Sequence, residues 1–121
     1  MEPLIIAAAA ETPSVSFNGQ LGTFNFSGKS YPENVNDFYK PILEYIELYK
    51  TNPKENTLIE FNWLYYNTAT SKMIIKILVL FKSINTNLSI KWLCKSDNEL
   101  MIEKGEEIKE VLDLNFDIVH I

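Results

Sequence analysis

Runs of alternating and of helically spaced hydrophobic residues divide the chain into predicted strands and helices. Val15–Phe17 and Leu21–Ser27 alternate between apolar and polar positions around Asn18-Gly19, a dipeptide typical of hairpin turns. We therefore predict a β-hairpin that ends at Gly28. The apolar stretch before it, Leu4–Ala10, favours either an extended arm or a first strand.

A first helix is predicted within Ser30–Lys50, where apolar residues recur at helical spacing. Ser30 and Glu33 have the spacing of a capping box, in which each side chain binds a free amide at the start of the helix. Asn34 and Asn36 are alternative N-cap residues. The apolar stripe that this helix presents to the core consists of Phe38, Ile42, Tyr45, Ile46 and Tyr49.

Strands and helices then alternate to the C-terminus. The further predicted elements are a strand over Thr57–Tyr66, a helix over Ala69–Ser83, a strand over Leu88–Lys95, a helix that Asp97 or Asn98 caps and that runs to about Leu112, and a strand over Phe116–Ile121. The resulting order, β-β-α-β-α-β-α-β, is typical of an α/β protein with a mixed sheet, parallel crossovers and helices packed on the sheet.

The second predicted helix is apolar around most of its circumference. Ile75 and Val79 fall outside its main apolar arc, beside the strip that carries Lys72 and Lys76. The interpretation that we favour is that a neighbouring helix covers these two residues. The alternative is an apolar ridge that the helix offers to a partner protein.

Composition limits the size of the protein and its choice of partners. Of the 121 residues, 46% are hydrophobic, so residues 1–121 are expected to form a single domain with its own core. The net charge of −5 argues against nucleic acid or an anionic membrane surface as a partner. No segment has the length and hydrophobicity of a membrane span, and the N-terminal apolar stretch lacks the basic start of a signal peptide. A cytoplasmic protein is the simplest interpretation.

Residues that usually carry catalysis or bind metals are scarce. Cys94 is the only cysteine and His120 the only histidine, so a shared cysteine or histidine metal site is not expected. The four glycines do not form a phosphate-binding loop. We therefore expect a protein that is not an enzyme and that uses no metal or cofactor. A second interpretation is a small-molecule-binding module in which Tyr31, Tyr65 and Tyr66 line a pocket.

Two short motifs give the chain a resemblance to a known family. Ser30-Tyr31-Pro32-Glu33-Asn34 and Leu64-Tyr65-Tyr66-Asn67-Thr68, with Lys72 downstream, resemble segments of the SiaC-type biofilm-regulation phosphoproteins. The order of elements, with a hydroxyl-rich turn between a central strand and the next helix, is similar to the STAS fold of anti-sigma-factor antagonists. The resemblance covers nearly the whole chain and implies a STAS-like domain.

This resemblance implies a partner-switching cycle. A cognate Ser/Thr protein kinase phosphorylates the threonine of the second motif, here Thr68, and a PP2C-type phosphatase removes the phosphate. The unphosphorylated protein binds and activates an output protein, a diguanylate cyclase in c-di-GMP signalling. After Thr68 the chain has Ala69-Thr70-Ser71, where the family more often shows serines directly, so Thr70 and Ser71 are alternative acceptors. A role as an anti-sigma-factor antagonist is an alternative output.

The physical chemistry of a helix N-terminus independently suits a phosphate on Thr68. The first amides of a helix lack backbone partners and the helix dipole is positive there, whereas an ordinary N-cap is the alternative role of this threonine. Lys72 either neutralises the phosphate or is a solvated lysine. Loops that leave parallel strands meet at one edge of a sheet, so the Ser30–Asn34 turn is expected beside Thr68. The expected partner-contact residues are Tyr31, Glu33, Asn34, Asn67, Lys72, Ile75, Lys76 and Val79.

Overall fold

The computed structural model describes residues 1–114 and 116–121. It contains six strands and three helices, and their bounds are β1 Leu4–Ile6, β2 Ser14–Asn18, β3 Thr23–Ser30, α1 Val35–Lys50, β4 Asn56–Tyr66, α2 Thr68–Lys82, β5 Asn87–Cys94, α3 Glu99–Leu112 and β6 Asp117–His120. The predicted α/β class and the predicted alternation of elements are confirmed. Leu4–Ile6 form a first strand, so of the two predictions for the N-terminal stretch the first strand is confirmed over these residues, and residues 7–10 lie outside it.

The six strands form one mixed sheet in which neighbours in sequence are neighbours in space, in the order β1-β2-β3-β4-β5-β6. β1, β2 and β3 pair antiparallel, whereas β3 to β6 run parallel and are connected through the three helices. Right-handed crossovers that all advance in one direction place their helices on one face of the sheet. Burial along β4 agrees with this arrangement, because Phe61 and Trp63 are buried while Glu60 and Asn62 are only partly covered.

Aromatic side chains fill the space between the sheet and the helices. The ring centroid of Phe24 lies 4.9 Å from that of Phe17 and 4.9 Å from that of Phe81 on α2, and Trp92 lies 5.4 Å from Phe61. Fully burying one large apolar side chain stabilises a fold by about 1.5–3 kcal/mol. The buried apolar side chains of α2 are Met73, Ile74, Ile77, Leu78 and Phe81. This face packs α2 on the sheet, and the first turn of α2 lies at the end of the sheet where β4 ends.

Strand β3 begins and ends later than the hairpin pattern predicts, since it covers Thr23–Ser30 and the predicted run is Leu21–Ser27. It begins after Gly22, which has a φ of +71°, a backbone conformation that favours glycine. A Cβ atom added to Gly22 would lie only 2.6 Å from the carbonyl oxygen of Asn56, so there is no room for a side chain. Near its end, the register with β4 shifts after Gly28, which has a φ of +114°. The strand then continues to Ser30, which pairs with Tyr66. Ser30 therefore lies at the carboxyl end of β3, and its side chain is buried in the core.

Helix α1 begins later than the capping-box spacing predicts. Asn34 is the N-cap, and its side-chain oxygen accepts a hydrogen bond from the amide of Asp37 over 3.1 Å. The prediction that Ser30 and Glu33 cap the helix is wrong, because Ser30 is buried at the end of β3 and Glu33 is exposed. The alternative prediction of Asn34 as the cap is confirmed, and the predicted helix end at Lys50 is also correct.

Candidate functional site

Two of the turns that leave parallel strands are joined at the carboxyl edge of the sheet. The chain leaves β3 after Ser30 and leaves β4 after Tyr66, and each turn leads into the N-terminus of a helix. The amide of Asn67 donates a hydrogen bond to the carbonyl oxygen of Ser30 over 3.2 Å. The predicted proximity of the two turns is therefore confirmed, and this edge is the candidate site.

The cap of α2 is Asn67, and Thr68 is the first residue inside the helix. The side-chain oxygen of Asn67 accepts from the amide of Thr70 over 3.0 Å, and its carbonyl oxygen accepts from the amide of Ser71 over 2.9 Å. The interpretation of Thr68 as an N-cap is thus wrong. Its side chain is exposed, and within residues 1–114 and 116–121 the Thr68 hydroxyl forms no hydrogen bond. The structure gives this hydroxyl no role in holding the fold together.

The other two hydroxyls of the turn are less accessible. Thr70 is 0% exposed and Ser71 is half-buried. The Thr70 hydroxyl donates to the carbonyl oxygen of Ser30 over 3.0 Å and lies 2.9 Å from the Ser30 hydroxyl, which in turn lies 2.7 Å from the hydroxyl of Tyr39 on α1. We call Ser30, Tyr39 and Thr70 the hydroxyl cluster. It ties β3, α1 and α2 together under the exposed Thr68.

Sequence reasoning missed the hydroxyl cluster. Tyr39 is fully buried although it lies outside the predicted stripe, one residue after Phe38. Burial raises the pKa of Tyr39 to about 12, against the smaller lowering effect of the neighbouring hydroxyls of Ser30 and Thr70. Its hydroxyl therefore stays protonated, and able to donate, to a higher pH than that of an exposed tyrosine. The available signal is a tyrosine one turn after the start of the helix that follows a strand ending in serine, which is too common to single out.

The Tyr31 turn packs against the connection between β1 and β2. The Tyr31 amide donates to the carbonyl oxygen of Glu11 over 2.9 Å, and its hydroxyl donates to the carbonyl oxygen of Ala10 over 3.1 Å. Its ring meets that of Tyr65 edge to face, with centroids 6.0 Å apart. Tyr66 is instead buried on the opposite face of β4, so the three tyrosines do not line one common pocket. The neighbouring side chains of Glu33 and Asn34 are exposed.

The exposed side of α2 borders a shallow groove against α1. Lys72, Lys76 and Val79 are exposed there, whereas Ile75 is half-buried and is not among the residues that line the groove. A depression of about 360 Å³ near the start of α2 is lined by Val35, Asn36, Ala69, Lys72, Met73 and Lys76. A second depression, of about 420 Å³, is lined by Leu43, Glu47, Lys76, Val79, Leu80 and Ser83. Val79 is 50% exposed, so the favoured interpretation that a helix covers it is wrong.

The remaining reactive side chains do not converge. In the part of the chain that the structure describes, no group of three histidine, cysteine, aspartate or glutamate side chains is placed to hold a metal ion. Cys94 is buried, and burial raises the pKa of its thiol; His120 is exposed at the end of β6. None of the helices in residues 1–114 and 116–121 combines the length and apolar character needed to cross a membrane.

Comparisons with known proteins point to one family. Residues 6–121 match the family model described as SiaC family regulatory phosphoprotein. An uncharacterised protein of Pseudomonas aeruginosa (strain UCBPP-PA14) is 26% identical over 121 residues, covering 98% of this chain and 96% of the relative. The crystal structure of apo-SiaC from Pseudomonas aeruginosa has a TM-score of 0.88 at 25% identity, covering 98% of this chain and 99% of that one.

A second solved structure adds a complex. It is described as the diguanylate cyclase SiaD in complex with its activator SiaC, from Pseudomonas aeruginosa. The matched chain has a TM-score of 0.90 at 26% identity, and the match covers 98% of this chain and 99% of that chain. The backbone similarity extends over the candidate site as well as the sheet, since nearly all residues of both chains are included.

Proposed function

We propose that this chain, which belongs to the SiaC family of regulatory phosphoproteins, is a non-enzymatic binding module that phosphorylation of Thr68 switches between partners. The observation that carries this proposal is the contrast within one helical turn. Thr68 is exposed at the first position of α2, whereas Thr70 is buried and bonded to Ser30 and Ser71 is half-buried. Of the three candidate acceptors, Thr68 alone has an exposed side chain.

The surroundings of Thr68 suit a phosphate without requiring the fold to change. The first amides of α2 lack intrahelical acceptors, and the positive end of the helix dipole lies at the same place. A phosphate adds about −1.5 to −2 charge, which such a terminus stabilises. Lys72 is exposed one helical turn further on, at a spacing at which side chains on a helix meet. The modification then alters the surface charge and leaves the core intact.

The proposed partners are a cognate Ser/Thr protein kinase, a PP2C-type phosphatase and an output protein. The output protein that we propose is a diguanylate cyclase, because a relative with the same fold is the activator of the cyclase SiaD. The unphosphorylated form binds and activates the cyclase. The proposed contact surface consists of Tyr31, Glu33, Asn34, Asn67, Lys72, Ile75, Lys76 and Val79.

The direct test is the affinity of the cyclase for variants of Thr68, measured by isothermal titration calorimetry. Thr68→Ala is expected to keep the affinity of the wild type, since it adds no charge. Thr68→Glu is expected to weaken binding at least about tenfold, the equivalent of about 1.4 kcal/mol. Ser89→Glu adds the same charge at an exposed position of β5 and is the control. An unchanged affinity of Thr68→Glu beside that control would contradict the switch.

A further inference from the structure

Thr68 and Thr70 lie two residues apart in the first turn of α2, yet their hydroxyls have opposite surroundings. Two steps along an α-helix rotate a side chain by about 200° around the axis, so the two threonines point in nearly opposite directions. Thr68 faces outward, whereas Thr70 points into the hydroxyl cluster and is 0% exposed. Two identical side chains in the same helical turn therefore lie in different environments, one exposed to solvent and one buried in the core.

The hydrogen bonds of the hydroxyl cluster run in one consistent direction. The Thr70 hydroxyl donates its single hydrogen to the carbonyl oxygen of Ser30 over 3.0 Å. Its oxygen must then accept from the Ser30 hydroxyl at 2.9 Å, and the Ser30 oxygen must accept from the Tyr39 hydroxyl at 2.7 Å. All three hydroxyl hydrogens are used, and each has an acceptor inside the core.

We propose that Ser30 and Tyr39 determine which threonine of this turn is phosphorylated, by holding the Thr70 hydroxyl in the core and leaving Thr68 as the acceptor. This inference rests on the proposed function. In the kinase reaction the threonine oxygen bonds to the γ-phosphorus of ATP, the bond to ADP breaks, and the hydroxyl proton passes to a base of the kinase. The Thr70 oxygen already accepts from Ser30, and its proton is already donated to a carbonyl oxygen, so it reacts only after the turn opens.

Burial of the product also disfavours Thr70 as an acceptor. A phosphate at this position carries about −1.5 to −2 charge, and placing it in the core without a paired cation is costly. The cluster is formed by three hydroxyls and a carbonyl, none of which is positively charged. Phosphorylation of Thr70 therefore requires the first turn of α2 to leave the core, and the hydrogen bonds of the cluster oppose that opening.

The direction of the hydrogen bonds ranks the variants. Ser30→Ala removes the acceptor of the buried Tyr39 hydroxyl and the donor to Thr70, so we expect opening of the first turn to increase about tenfold, the factor that about 1.4 kcal/mol produces. Tyr39→Phe removes a donor and leaves every remaining hydroxyl hydrogen with its acceptor. Its effect on opening is therefore expected to be smaller than that of Ser30→Ala.

A second buried set of hydroxyls provides a matched control at the opposite end of the sheet. The Tyr49 hydroxyl lies 2.7 Å from that of Thr57, which lies 2.8 Å from the hydroxyl of Thr86. Like the hydroxyl cluster, this set connects α1 to the sheet. Thr57→Ala removes a buried hydroxyl of the same kind without touching α2. A general loss of stability affects both variants, whereas a local effect on the first turn of α2 is confined to Ser30→Ala.

Amide hydrogen exchange tests the cluster without any kinase. The Ser71 amide donates to the Asn67 carbonyl oxygen over 2.9 Å and is protected only while the first turn is closed. Ser30→Ala is expected to increase its exchange rate about tenfold and Tyr39→Phe to increase it less. Thr57→Ala is expected to leave it within about twofold of the wild type. An exchange rate of Ser71 in Ser30→Ala that equals the wild-type rate overturns the inference.

Phosphosite mapping then tests the choice of acceptor, on protein expressed in its native cells with Thr68→Ala as the background. The single variant is expected to carry no phosphate on Thr70, and Ser30→Ala in that background is expected to carry it. Thr57→Ala in the same background is expected to carry none. Phosphate on Thr70 in Thr68→Ala alone, or its absence after Ser30→Ala is added, overturns the inference. If wild-type protein has no phosphate on Thr68, the proposed function fails, and the exchange rates alone decide whether the cluster holds the turn closed.

Discussion

The main-chain amide of Asn67 donates a hydrogen bond to the carbonyl oxygen of Ser30 over 3.2 Å, and this bond joins the two turns of the candidate site. The same carbonyl oxygen also accepts from the Thr70 hydroxyl over 3.0 Å. The start of α2 is thus anchored to the end of β3 from two directions. A phosphate on Thr68, on the outside of this anchored turn, therefore changes the surface charge that a partner contacts, while the turn keeps its position.

Asn67→Ala is expected to lower the free energy of unfolding by about 1 kcal/mol, because the amide of Thr70 loses its acceptor. Asn98→Ala is the comparison, since Asn98 caps α3 through the amide of Met101 and also donates to the carbonyl oxygen of Leu64 over 3.1 Å. We expect the larger loss for Asn98→Ala. Urea denaturation measures both. Equal stability of Asn67→Ala and the wild type would show that the cap contributes nothing.

Gly105→Ala is expected to destabilise the protein although alanine favours helix formation. An added Cβ on this residue of α3 would lie 2.7 Å from the Trp92 ring, whose Nε1 donates to the carbonyl oxygen of Met101 over 2.9 Å. Overpacking costs about 1–3 kcal/mol, and at a separation of 2.7 Å we expect a cost above the gain of roughly 1 kcal/mol in helix propensity. Thermal unfolding followed by circular dichroism measures the balance. A variant more stable than the wild type would contradict this packing.

The unfolding free energy is expected to fall between about pH 10 and pH 12. The pKa of Tyr39 is raised by burial from 10.0 to about 12 in the folded protein. The unfolded chain therefore loses this proton first as the pH rises, so the stabilisation is complete below pH 10 and is lost towards pH 12, by about 1.4 kcal/mol per pH unit for one group. Burial raises the pKa of Tyr66 as well. Tyr39→Phe should therefore show a shallower decline in alkaline denaturation, and an identical slope would contradict a buried, protonated Tyr39.

Val79→Asp is expected to weaken binding of the cyclase and to leave folding nearly unchanged. Val79 is 50% exposed on the groove between α1 and α2, so a charge there lies in water in the free protein. Substitutions at such positions usually change stability by less than about 0.5 kcal/mol. Val111→Asp is the matched control, because Val111 is an exposed helical valine (71%) on α3. Equal affinities of the two variants would exclude this part of α2 from the partner surface.

Lys72→Gln is expected to reduce the stability of the phosphorylated protein selectively. Ion pairs between residues four apart on an exposed helix surface contribute about 0.3–0.5 kcal/mol. Lys82→Gln, at the other end of α2, is the control. The measured quantity is the difference in unfolding free energy between phosphorylated and unphosphorylated protein for each variant. If phosphorylation changes the unfolding free energy equally in Lys72→Gln and Lys82→Gln, Lys72 does not pair with the phosphate and is a solvated lysine.

Much of the fold was predictable because hydrophobic patterns report directly on one-sided burial. The strand that ends at Tyr66 and the helix that ends at Lys50 are confirmed, and of the two candidate caps of α3, Asp97 and Asn98, the structure has Asn98. Ser30 was mispredicted for a physical reason. Its spacing to Glu33 satisfies a local capping rule, but its hydroxyl bonds instead to Tyr39 and Thr70, residues that only the folded chain brings near.

The candidate site was predictable in location but not in detail. Parallel strands bring their following turns to one edge, which is why the neighbourhood of Ser30 and Thr68 followed from topology. Thr70 lies three and four residues before Met73 and Ile74, on the buried face of α2, whereas Thr68 lies on the other side of the helix. The partners of the Thr70 hydroxyl are both in Ser30, a residue that only the folded chain brings near. The exposure of Val79 depends on how α1 and α2 pack, which no local pattern specifies.

The central claim is that Thr68 is the residue whose phosphorylation switches this protein. Phosphosite mapping by mass spectrometry, on wild-type protein purified from its native cells under several growth conditions, tests it most directly. We predict phosphate on Thr68 in at least one condition and none on the buried Thr70. Thr68 unmodified in every condition, or phosphate on Thr70 or Ser71 in its place, would contradict the account.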